Sequence, residues 1–120
     1  MPFKALLKEL VSGVEGATGA IFLASDGEAV QWYAGDGGER LQLRAAYITV
    51  ALQGCRGSAE RLTLGGIRHL ILEYDNASFI VQELDRGYFV ILELEASANI
   101  GQAIHRTQPV VARLRREVAP

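Results

Sequence analysis

Phe3, Leu6, Leu7, Leu10, Val11 and Val14 recur at steps of three and four residues, with Lys4, Lys8, Glu9 and Ser12 between them. This spacing predicts an amphipathic helix with a single apolar stripe. Gly13, Gly16 and Gly19 punctuate its end, and the apolar run at 20–24 reads as a short buried strand. Asp26 and Gly27 then form a hairpin signal, returning the chain as a second strand over 30–34. There Val30 and Trp32 share one side and Gln31 and Tyr33 the other, the alternation of a half-exposed strand near a sheet edge.

The next segment is apolar in a different way. Asp36 followed by Glu39 predicts a capping box that opens a second helix, running to about Arg56. At 100° per residue, Leu41, Ala45, Ile48, Leu52 and Cys55 make one stripe, while Leu43, Tyr47, Val50 and Gly54 lie nearly opposite. A helix with two opposed apolar stripes is covered on both sides. If the first stripe packs on a sheet, the second faces water unless something docks there, and a contiguous exposed apolar patch marks a contact surface. Gly54, with Ala46 and Ala51 nearby, would admit a second helix at close range. The competing explanation is that residues 57–66, which carry no clear periodicity, fold over this stripe.

Strand patterns resume at 67–74 and 77–84, separated by a turn at Asp75 and Asn76. Asp85, Arg86 and Gly87 make a tight hairpin loop in which Gly87 can supply a positive φ. Residues 88–94 read Tyr, Phe, Val, Ile, Leu, Glu, Leu, the signature of a strand covered on both faces, and so the central one. These three strands form a meander. Ser97 offers an N-cap for a last helix carrying Ile100, Ile104, Val111, Leu114 and Val118 on one stripe, with Arg113, Arg115 and Arg116 toward its end. Pro109 predicts a kink in that helix, or a restart with Thr107 as a new cap. The order is helix, strand, strand, helix, three strands, helix.

Composition narrows the function classes. The 120 residues read as one domain, 1–120, with 49% apolar and 22% charged residues, which excludes disordered and fibrous classes. A formal charge of -2 gives no net field for nucleic acid or an anionic membrane. No apolar run is long enough for membrane insertion, and no signal peptide pattern opens the chain. Cys55, the only cysteine, excludes an internal disulfide and any multi-cysteine zinc site, and a reducing, cytoplasmic compartment is expected.

Candidate chemistry is sparse. His69 and His105 have no ligand-spaced partner, and hydrolase or transferase chemistry would have to unite one of them with Cys55 or a serine. Gly35, Gly37 and Gly38 precede a helix but lack the lysine and hydroxyl of a phosphate loop. Glu73, Asp75, Glu93 and Glu95 mark solvent-facing strand ends. No enzyme, cofactor or metal site is expected.

The residues do carry a family resemblance. Residues 20–24 followed by Asp26 and Gly27, and above all Gly87 and Tyr88, an apolar strand, then Ala98, Asn99, Ile100 and Gly101 opening the last helix, resemble the Roadblock family of dynein light chain type domains over nearly the whole chain. Pro109 and the Gly65-Gly66 link depart from the pattern. The resemblance implies an α+β fold, a five-stranded antiparallel sheet with helix two on one face and the N- and C-terminal helices on the other, as in profilin-like sandwiches. It implies a homodimer in which the third strands join, around Ile67, His69 and Ile71, and the second helices meet through Leu43, Tyr47, Val50 and Gly54. Bacterial members accompany Ras-like small GTPases, so a non-enzymatic scaffold or regulator is expected, with Arg40 and Arg44 bordering the GTPase contact. The alternative is a small-molecule-sensing PAS or profilin-like domain.

Overall fold

Helices and strands follow the apolar spacing closely in the computed structural model, which describes residues 2–119. In chain order they are α1 (Phe3–Gly13), β1 (Ala17–Leu23), β2 (Ala29–Ala34), α2 (Glu39–Arg61), β3 (His69–Glu73), β4 (Ser78–Glu83), β5 (Phe89–Leu94) and α3 (Ile100–Val118). The sheet is five-stranded in the order β2-β1-β5-β4-β3, with every neighbouring pair antiparallel. The doubly apolar strand β5 is indeed the middle one, and β2 is an edge.

Strict alternation divides the core into two layers. Ala20, Phe22, Ile80, Val90, Leu92 and Leu94 turn toward α1 and α3, which bury Phe3, Leu7, Leu10, Ala103, Val111 and Leu114 against them. Ile21, Leu23, Phe79, Val81, Phe89 and Ile91 turn the other way, onto Leu41, Ala45, Ile48 and Leu52 of α2. A period of two in the strands and of 3.6 in the helices is sufficient to produce this three-layer arrangement. Phe22 stacks with Phe3 at 4.5 Å and with Tyr88 at 5.4 Å between centroids, fixing α1 over β1 and β5.

The β4–β5 connection is a short 3-10 turn, Asp85–Gly87, with φ of 63° at Arg86 and 81° at Gly87. A Cβ on Gly87 would lie 2.7 Å from that of Ser25, so glycine also lets this hairpin pack against the β1–β2 turn.

Four local expectations are corrected. No capping box forms at α2: Gly38, in the left-handed region and packed beneath Trp32, occupies the N-cap, and its N–H donates to Asp36 Oδ1 at 3.0 Å. The carboxylate is thus spent one turn early. Ser97 lies in a turn closed by Ala98 N–H on Glu95 O, and Asn99 caps α3 instead, accepting from Gln102 N–H at 2.9 Å. The restart expected at Pro109 does not occur, since α3 runs unbroken through it. Pro109 and His105 are both exposed, so the carbonyl left without its donor can turn to water. Thr107 is a buried mid-helix residue rather than a cap. Its hydroxyl donates to Ile104 O and accepts from Gln82 Nε2, both at 2.7 Å, tying α3 to β4. Finally, Cys55 is exposed. Arg56 takes the inward position below Leu52, its guanidinium 5.2 Å from the Phe89 ring centre, and leaves Cys55 one helical step away.

Candidate interaction surface on the second helix

Because Leu41, Ala45, Ile48 and Leu52 are held by the sheet, helical geometry turns Leu43, Tyr47, Val50 and Gly54 outward. The structure leaves all four uncovered. Leu43, Tyr47 and Val50 are 63%, 74% and 72% exposed, and the space above Gly54 is open. Ala46 and Ala51 beside them are exposed too. Residues 57–66 do not fold over the stripe. Their first half lengthens α2 to Arg61, and Leu62 and Leu64 beyond it are themselves exposed. Apolar periodicity could not show this, since glycine, serine and charge interrupt it just where the helix continues.

The surface extends further than sequence reasoning indicated. Tyr74, after β3, is 58% exposed and stands edge-on to Phe79 at 6.0 Å. With Tyr47, Ile48, Ala77 and Arg44 it lines a cleft of about 460 Å³ between α2 and the β3–β4 turn. An aromatic at a strand end, next to a turn, was the available signal. Toward the far end of α2, Ala51, Gly54 and Cys55 face the returning segment Leu64, Gly65, Gly66 and Ile67 across a second cleft.

The proposed strand contacts divide. β3 is an edge strand with its outer hydrogen-bonding side unpaired within the chain. His69 and Ile71 occupy it and, by register with Gln82 and Ile80, face the α1 and α3 side. Ile67 lies before the strand begins and packs on the α2 side. These residues therefore share an edge without sharing a face.

Arg40 and Arg44 both border a cleft of about 430 Å³ at the start of α2, with Thr18, Asp36, Asn76, Glu93 and Glu95. Arg40 is exposed; Arg44 is partly engaged, donating to Glu93 Oε2 at 2.6 Å, while Thr18 Oγ1 donates to Oε1 at 2.9 Å. The sequence pattern puts Glu93 at a solvent-facing strand end, yet its side chain is only 12% exposed. Desolvation of a carboxylate requires such partners. Arg56 is the other polar side chain that sequence reasoning missed. It pairs with Glu83 and donates to the carbonyls of Ser25 and Gly87, locking the end of α2 to two hairpins. Neither His69 nor His105 is buried, and no group of three or more metal-binding side chains occurs among the described residues.

Comparison with solved structures decides the fold. A Roadblock/LC7 domain from Streptomyces avermitilis superimposes with a TM-score of 0.84 at 20% identity, covering 96% of both chains. The chain has the Roadblock/LC7 fold. MglC from Myxococcus xanthus, at 26% identity, covers 98% of this chain and 100% of its own with a TM-score of 0.70. Myxococcus xanthus MglB reaches a TM-score of 0.85 at 10% identity, over 98% and 94% of the two chains. No family model and no curated protein sequence matches the chain. Within the Roadblock/LC7 fold, helix two is the solitary layer opposite the two terminal helices, so its outer face is the broad side of the sandwich that no other element of the chain covers.

Proposed function

We propose that this chain is a non-enzymatic homodimeric scaffold or regulator that binds a Ras-like small GTPase. The observation that carries the reading is the uncovered stripe Leu43, Tyr47 and Val50, ending on the open backbone at Gly54. An isolated chain has no use for so much exposed apolar surface, and a second copy of the same helix matches it in shape and polarity. The unpaired edge of β3 supports the same arrangement, since edge strands invite pairing by another chain. Joined there, two copies would continue one sheet, with His69 and Ile71 at the seam and both second helices side by side. The Roadblock/LC7 fold shared with MglC and MglB is consistent with this and with a GTPase partner.

Arg40 and Arg44 sit at the start of α2, at the rim of the proposed paired helices. On this reading they contact an acidic GTPase surface, Arg40 as an exposed cation and Arg44 from its pairing with Glu93. Any effect on hydrolysis would come through repositioning the GTPase's own groups. The test has two stages. Light scattering is expected to show a dimer for the native chain and a monomer for Val50→Asp; a native monomer would sink the dimer. Affinity capture with GDP and with a non-hydrolysable GTP analogue is then expected to retain a Ras-like GTPase in a nucleotide-dependent way, and to lose it with Arg40→Glu and Arg44→Glu. Capture indifferent to both would remove the arginines' role.

A further inference from the structure

The formal charge of the chain averages over a sharp segregation. α1 and α3 carry six basic residues, Lys4, Lys8, Arg106, Arg113, Arg115 and Arg116, against two acidic ones, Glu9 and Glu117. The remainder of the chain holds the other six basic and twelve acidic residues. A molecule negative as a whole therefore has one layer with a surplus of four positive charges.

Of the six basic side chains only Arg115 is drawn inward, donating to Glu83 O at 2.9 Å. The other five are exposed. Arg113 pairs with Glu9 and braces the two helices, while Lys4, Lys8, Arg106 and Arg116 have no ion-pair partner among the described residues. Beyond the two helices, Glu73 on this face of the β3 edge and Glu15, which follows α1 and lines a cleft with Arg106, offset part of this surplus. Even the shortest extent of the molecule, 26 Å, is about three Debye lengths at physiological salt, so the acidic far side does not cancel this field.

The same layer lacks what a protein interface requires. The large exposed apolar residues, from Val30 to Tyr74, all lie outside α1 and α3. Protein contacts are anchored by such residues, whereas adsorption to phosphate headgroups needs only charge. α1 and α3 lie side by side over one face of the sheet and present a broad surface, which a planar anionic surface meets more fully than a convex nucleic-acid duplex.

We propose that the α1 and α3 face adsorbs electrostatically to an anionic lipid surface, without insertion. In its paired form this rests on the dimer proposed above. Antiparallel joining of two β3 edges about an axis normal to the sheet keeps each layer on its own side. The two cationic faces then lie together, and the two α2 helices stay on the opposite side, free for a protein partner. Charge doubles without any new contact, which strengthens attachment through multivalency.

The test uses the full chain and vesicles of equal phosphatidylglycerol and phosphatidylcholine, with pure phosphatidylcholine vesicles as control. At about 50 mM salt the chain is expected to sediment with the anionic vesicles only, and to be released at about 500 mM. Lys8→Glu with Arg116→Glu is expected to lower partitioning roughly a hundredfold while leaving the melting transition in place. A second pair, Lys4→Glu with Arg106→Glu, is expected to act alike and guards against a folding artefact in the first. Failure to sediment at low salt, equal sedimentation with neutral vesicles, indifference to both variants, or tighter binding to a DNA duplex than to the vesicles would each overturn the proposal. Light scattering reads the dimer separately. A native monomer that still sediments supports the cationic face and overturns only its pairing, whereas a dimer that stays in solution overturns the lipid site and leaves the dimer standing.

Discussion

The two helical layers bury equally apolar inner faces against one sheet, yet they turn opposite chemistries to the solvent. α2 shows Leu43, Tyr47 and Val50; α1 and α3 show Lys4, Lys8, Arg106 and Arg116. Inner faces answer to the fold, and the pleat and the helical period leave them little choice. Outer faces are under no such constraint. The difference between them is that one side of the sandwich shows an apolar surface and the other a charged one.

The comparison makes graded predictions. The inner faces are expected to be equivalent: Leu10→Ala in α1 and Leu52→Ala in α2, both essentially fully buried, should each cost about 2–5 kcal/mol in denaturant titration. A much smaller loss at Leu52 would mean that α2 is less firmly docked than α1. Next in size is Tyr47→Asp on the outer face of α2. It should weaken the proposed dimer by roughly a hundredfold or more, about 3 kcal/mol, in equilibrium ultracentrifugation, with little change in the stability of the monomer. The same substitution to aspartate at Ser12, on the exposed face of α1, should leave the proposed dimer intact.

Arg56→Ala should cost about 2 kcal/mol, because it strands Glu83 and the Gly87 carbonyl and removes the cation over Phe89, while the Ser25 carbonyl keeps its bond from Gln53. Its signature is faster amide exchange at the end of α2 and in both adjoining hairpins, and unchanged exchange there would show that the clamp is dispensable. Smallest is Asn99→Ala, expected to cost about 1 kcal/mol in thermal melting through loss of the α3 cap. Ser97→Ala should be near neutral, and the reverse ranking would restore Ser97 as the cap.

Much of this molecule was legible in its sequence, for physical reasons. Five strands and three helices follow from period and turn chemistry, and the two stripes of α2 separate the face that packs on the sheet from the one that stays exposed. The family pattern at Gly87, Tyr88 and Asn99 to Gly101 added the layer order. Local polar choices were less readable. Asp36, Ser97 and Thr107 are all competent caps by residue type, but whether such a group caps a helix depends on the donors and backbone that the fold brings beside it. That depended on Trp32 over Gly38, on the turn closed by Glu95, and on Gln82 beneath α3.

Residue identity and spacing thus determined the elements, the inward faces and the candidate stripe, because burial and periodicity are local properties. Only the tertiary structure decided that residues 57–66 leave the stripe bare, that Arg56 displaces Cys55 from the core, and that Glu93 is held between Arg44 and Thr18. It also decided that cations 90 or more positions apart, such as Lys8 and Arg113, share one layer, a fact that a summed charge cannot hold. Each of these depends on which distant segments meet, and that is settled by the packing of the whole chain rather than by any stretch of it.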